Sequence, residues 1–199
     1  MARIDLVRAV AVTSELCGRT LSPEAAKIFV ADLAPYPELQ VAAALVRCRK
    51  EVRGMLTLSD VISRLDDGRP GVEEAWAMLP MSERQSAVWT TEMSLAFGIA
   101  LPLIGAGEVV AARMAFKETY LRLVSQARDA ARPVQWLATL GHDPAGRESV
   151  LLQAVSLGRL TFAEAQMHLP TPIASRKSSD WPSVQLVAIK GISRINGNE

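Results

Sequence analysis

The sequence predicts an all-α fold, and three observations carry that expectation. Helix-start and helix-stop residues recur along the chain, apolar residues return at spacings of three and four between them, and strand signals are few. Aromatic residues make up only 5% of the 199 residues, while Ala, Leu and Val dominate, which suits helices packed through small and aliphatic side chains.

The first helix is expected near residues 2–17. Leu6, Ala9, Val10, Thr13, Leu16 and Cys17 fall on one face, with Asp5, Arg8 and Glu15 opposite, and Gly18 closes it. Ser22-Pro23-Glu24 opens the second helix with a capping hydroxyl, a pre-set φ and an acid at the positive dipole end. Pro35 stops it. Pro37 starts the third, striped by Val41, Leu45, Cys48 and Val52 and closed by Gly54. Thr57 caps the fourth, with Asp60 three residues on in a shortened capping box. That helix is expected to run through Val61, Ile62 and Leu65 to the Asp67–Gly71 turn, and a short helix with Trp76 follows to Leu79.

Beyond Pro80, Ser82 reads as the cap of a helical segment through Trp89, and an apolar piece covers Met93–Ala100. Residues 108–131 give the clearest helix, with Val109, Ala112, Phe116, Tyr120, Leu123 and Ala127 on one stripe. Trp136–Gly146 reads as an irregular loop, and two short helices, 146–157 and 161–169, complete the block. The resulting organisation is an N-terminal helical domain over 1–79, a second helical block over 80–168, and a linker and tail over 169–199 that orders against something else. In the tail, Trp181, Val184, Leu186, Val187 and Ile189 are the candidate partner-binding anchors.

Composition excludes more than it assigns. The longest charge-free stretch, Met93–Gly107, is too short to span a bilayer and holds Gly98, Pro102 and Gly105. Charges along the first helix argue against a signal peptide, so a cytoplasmic protein is expected, without membrane contact. Cys17 and Cys48 form no metal-binding spacing and read as small buried hydrophobes. No Walker-type phosphate loop is present, and Gly105-Ala106-Gly107 reads as a turn. His142-Asp143 lacks a third ligand nearby, and Asp143-Pro144 reads as a turn into a helix. The carboxylate pairs Asp66-Asp67 and Glu73-Glu74 read as a solvated rim. No enzyme, cofactor or metal is therefore expected. A net charge of +1 argues against wholesale binding to nucleic acid. Even so, Arg47, Arg49, Lys50 and Arg53 on the third helix form a ridge for an acidic partner or phosphates, which Arg64 and Arg69 would extend.

The order of the first 79 residues carries a resemblance. Ser14-Glu15-Leu16-Cys17-Gly18-Arg19 leads through Leu21-Ser22-Pro23-Glu24-Ala25-Ala26 to Asp32-Leu33-Ala34-Pro35-Tyr36-Pro37. Val41-Ala42-Ala43-Ala44-Leu45 and Arg47-Cys48-Arg49-Lys50-Glu51 then lead to Leu56-Thr57-Leu58-Ser59-Asp60-Val61-Ile62. This order resembles the N-terminal helical domain of phage replicative-helicase loaders of the loader-and-inhibitor type, and is similar to uncharacterised phage and prophage proteins of Gram-negative bacteria. The family's aromatic-Pro-Pro turn is replaced by Met55-Leu56-Thr57, and residues 82–169 have no counterpart in it. The resemblance implies a DNA-replication accessory protein that contacts the replicative helicase without hydrolysing ATP. A DNA- or RNA-binding regulator and a phage structural adaptor are the alternatives. The oligomeric state is left open.

Overall fold

The computed structural model describes residues 4–169. These are mostly helical, with a small two-stranded sheet that an all-α expectation does not contain. In chain order the elements are α1 (Leu6–Leu16), α2 (Pro23–Asp32), α3 (Glu38–Glu51), α4 (Leu58–Ser63), α5 (Val72–Ala77), β1 (Ala87–Thr90), α6 (Thr91–Gly105), α7 (Val109–Asp129), β2 (Trp136–Thr139), α8 (Pro144–Ser156) and α9 (Phe162–Gln166). Among them no helix is long and apolar enough to cross a membrane.

Helix starts follow from side-chain caps. Ser22 Oγ accepts from the Ala25 N–H, with Pro23 pre-set behind it. At α4 and α9, Thr57 with Asp60 and Thr161 with Glu164 complete reciprocal capping boxes, each satisfying two otherwise orphaned N–H groups. Such a cap contributes about 1 kcal/mol. Gly18 and Gly54 take φ values of 109° and 101°, which a side chain would resist, and they turn the chain after α1 and α3. There the Gly54 N–H reaches the Cys17 carbonyl at 3.0 Å.

The chain forms two compact units. Among the described residues, one comprises 4–79 together with Trp89–Leu137; the other comprises Pro80–Val88 together with 138–169. These units are cut differently from the blocks 1–79 and 80–168, because α7 packs with α4 and α5 as well as with α6. The first unit holds two cores. Val10, Leu33, Val41, Leu45, Cys48 and Val61 form one among α1–α4, and Ala75, Met93, Ala96, Ala112, Phe116 and Tyr120 form the other around the α6–α7 pair. Trp76 meets Phe116 edge-on at 5.4 Å, and Phe116 stacks on Tyr120 at 5.6 Å. In the second unit, α8 and α9 bury Leu151, Leu152, Leu160 and Ala165. The Gly141 N–H donates to Ser86 Oγ, and the His142 and Asp143 amides reach the Glu83 and Arg84 carbonyls.

Four sequence expectations are corrected. Ser82 caps no helix: residues 81–84 form bends and a turn that lead through 85–86 into β1. Trp136–Thr139 is a strand, not irregular loop. The pairs Thr91–Gln135 and Ser86–Gly141 run in opposite senses, so β1 and β2 are antiparallel. The apolar piece at Met93–Ala100 is part of a 15-residue helix that continues through Gly98 and Pro102. Proline removes the bond to the carbonyl four residues back, here that of Gly98, and both residues stand exposed, where water can reach the carbonyl. Finally, Leu16 is 66% exposed rather than buried with its stripe.

Candidate functional site

The most constrained polar group in the first unit grows from the loop between α4 and α5. Arg69 on this loop is buried, its side chain 1% exposed. Its guanidinium donates to Glu92 Oε1 at 2.9 and 3.1 Å, to Asp67 Oδ2 at 2.6 Å, and to the carbonyls of Arg132 and Pro133 at 3.1 and 3.3 Å. Asp67 is shared: Arg128, near the end of α7, also donates to both its oxygens at 3.1 Å and to the Ser63 carbonyl at 2.8 Å. The result is an alternating chain, Glu92–Arg69–Asp67–Arg128, with two charges of each sign.

The local electrostatics follow from that alternation. Burial alone would raise the Asp67 carboxyl, but the Arg128 and Arg69 hydrogen bonds and charges outweigh it and hold the group below the ordinary aspartate value. The Tyr120 hydroxyl, raised by burial and by the nearby Glu92 charge, stays protonated and donates to the Pro70 carbonyl at 2.7 Å. One buried atom, Glu92 Oε2, has no protein partner among the described residues.

Against this network lies a cavity of about 320 Å³, walled by Pro35, Tyr36, Pro37 and Leu65 on one side and by Arg128 and Ala131–Val134 on the other. The Tyr36 hydroxyl bridges its walls by donating to the Arg128 carbonyl at 2.7 Å. Ala131 takes a left-handed φ of 48°, turning the chain out of α7 so that the Arg132 and Pro133 carbonyls meet Arg69. Chemically this is a poor reaction centre. Its carboxylate is already neutralised by two guanidinium groups and is a weak base, and its hydroxyl is engaged. The arrangement holds backbone in place.

The residues singled out from sequence do not assemble into one ridge. Arg47 is exposed and turns to Asp66 and the Arg64 carbonyl. Arg49 is half-buried and donates to Thr13 Oγ1 at 2.8 Å, tying α3 to α1. Lys50 and Arg53 stand exposed, with no side-chain hydrogen bond or ion pair among the described residues. Arg64 does not extend the patch, because Glu51 at 2.8 Å and Asp60 at 3.5 Å neutralise it. Arg69 does not either, being enclosed in the core network. The reading of Asp67 as solvated rim is overturned with it: its side chain is 16% exposed. Glu73 is on the rim but is held below the ordinary glutamate value by Lys117 and Arg113.

Cys17 and Cys48 are buried free thiols, and burial pushes Cys48 up to about 11. Gly105 ends α6, Ala106-Gly107 form the turn that follows it, and Pro144 opens α8. Among the described residues no three His, Cys, Asp or Glu side chains gather as metal ligands. The tail anchors Trp181, Val184, Leu186, Val187 and Ile189 lie outside the described residues.

Sequence reasoning missed Glu92 and Arg128 as partners of the Asp67–Arg69 loop. Glu92 follows a capping threonine and Arg128 sits in a last helical turn, so each has an ordinary local explanation in the helix dipole. Comparison with protein-family models, curated proteins and solved structures finds no match.

Proposed function

We propose that this protein acts by protein–protein contact, as a phage or prophage DNA-replication accessory factor: a non-ATPase loader or modulator of the replicative helicase. The observation that supports a contact role is the surface of the α6–α7 pair. Leu95 and Ile99 on α6 stand 57% and 59% exposed, and Val110, Met114 and Leu121 on α7 stand 80%, 62% and 54% exposed. On α7 these three recur at spacings of four and seven, on one stripe beside the buried face. Aliphatic surface of this kind is costly to hydrate, which supports a docking role for these two helices. The choice of helicase as partner rests on the helix order of residues 14–62 and its resemblance to loader proteins.

The test is capture of the purified replicative helicase by the full chain, by a chain ending at Leu169, and by a Val110→Asp/Met114→Asp variant. Capture by the full chain, weakened by the two aspartates, is the expected result. Failure of both the full and the shortened chain to retain helicase refutes the reading.

A further inference from the structure

We infer that the corner where α1 and α3 end is a docking surface for an acidic segment of a partner protein, one that carries an aliphatic side chain among its carboxylates. The inference rests on the contact reading above and names a second surface with its chemistry.

The corner is assembled by contacts that no spacing in the sequence reveals. The Gly54 amide bonds to the Cys17 carbonyl, which brings the two helix ends together. Arg19 is fixed from two sides: its carbonyl accepts from Ser14 Oγ at 2.6 Å, and its guanidinium reaches Met55 Sδ. Arg49 bridges from α3 to Thr13 of α1. With Lys50 and Arg53, four cations thus surround one corner. The carboxylates in the last turns of these two helices are Glu15 and Glu51, and Glu51 is already bonded to Arg64. The uncompensated charge is therefore positive, and Lys50 and Arg53 carry it on exposed side chains.

Two exposed aliphatic side chains stand among these cations, Leu16 at 66% and Met55 at 54%. This decides the class of partner. A single-stranded nucleic acid is gripped by aromatic rings between the cations, onto which bases stack. Here the intervening side chains are aliphatic. They match a Leu, Ile or Met side chain, and the cations around them match carboxylates on either side of it. Charge complementarity of this kind sets specificity and association rate, and truncating it weakens binding in a salt-dependent way.

Selection of a displayed random-peptide library against the full chain tests this without knowledge of the partner. The expected peptides carry Asp or Glu flanking an aliphatic residue. They should lose about tenfold in affinity for a Lys50→Glu/Arg53→Glu variant, since each change reverses a charge at the contact. Leu16→Gln should also weaken them, without flattening the salt dependence. Both variants alter exposed side chains, and unchanged thermal melting verifies their fold. Peptides lacking acids, peptides indifferent to the double variant, or no enrichment at all would overturn the inference. So would a duplex or single-stranded oligonucleotide that binds more tightly than the selected peptides and loses affinity in the same variant. Because helicase plays no part in this experiment, its outcome is separate from the capture assay.

Discussion

Replacing Arg69 by Met tests whether the buried ion network holds the first unit together. The substitution removes five side-chain hydrogen bonds. Counting each as a charged bond of about 1.5–3 kcal/mol gives roughly 7–15 kcal/mol, as large as the whole stability of a typical domain. That sum overshoots, because the groups left behind fare differently. Asp67 keeps Arg128, and residues 132 and 133 are exposed, so water can reach their carbonyls. Glu92 has no such recourse: its side chain is 11% exposed and Oε2 already lacks a partner among the described residues. One uncompensated buried carboxylate costs about 3–5 kcal/mol, and that is the expected loss.

Urea unfolding followed by tryptophan fluorescence measures it, since Trp76 and Trp89 pack against Phe116 and Phe97 within this unit. The double variant Arg69→Met/Glu92→Leu removes both charges and should recover at least half of the loss, because a buried pair replaced by apolar groups is often close to neutral. A single-variant cost below about 1 kcal/mol would refute this reasoning. So would a double variant less stable than the two single changes combined.

Three further outcomes follow from the same geometry. An added Cβ at Gly141 would collide with the Arg84 backbone, so Gly141→Ala should cost about 1–3 kcal/mol and speed hydrogen exchange of the His142 and Asp143 amides; unchanged exchange rates would contradict the packing. Asp67 titrates below the ordinary 3.8 when folded, so its ion pairs stabilise the protein above that value, and the contribution is lost as pH falls through the lower folded value. Thermal melting should therefore drop below about pH 4, and Asp67→Asn should lower stability near neutrality while flattening that acid slope. A disulfide-exchange reagent should modify Cys48 slowly in native buffer and rapidly in denaturant, since burial holds its thiol up to about 11; rapid native labelling would show that the core opens freely.

Local chemistry explains which parts were legible in the sequence. Ser22-Pro23, Thr57 with Asp60 and the seams of α3 and α7 act within a few residues, so their signals survive in one dimension. Trp136–Thr139 alternates half-buried and exposed, yet four residues are too few to separate a period of two from loop. Ala87–Thr90 is buried at every position and has no alternation to detect. Arg69 reads as surface because a charge normally belongs there; apart from Asp67 two residues back, its acceptors lie 23 residues away at Glu92 and about sixty away at Arg132 and Pro133. The same limit explains the candidate ridge. Proximity along the third helix groups Arg47 with Arg49, Lys50 and Arg53, but does not show that Asp66 draws Arg47 aside or that the turn after α1 brings in Arg19.

The route of the backbone has a practical consequence. Pro80–Val88 belongs with residues far downstream, while the segments on either side of it belong together. Neither unit can be excised as one uninterrupted gene fragment. On the ribosome, that nine-residue stretch emerges long before its companions over 138–169, whereas every residue of the α1–α4 core has been made by Leu65. Dissection should therefore begin with a designed join between Leu79 and Trp89 rather than with truncation from either end.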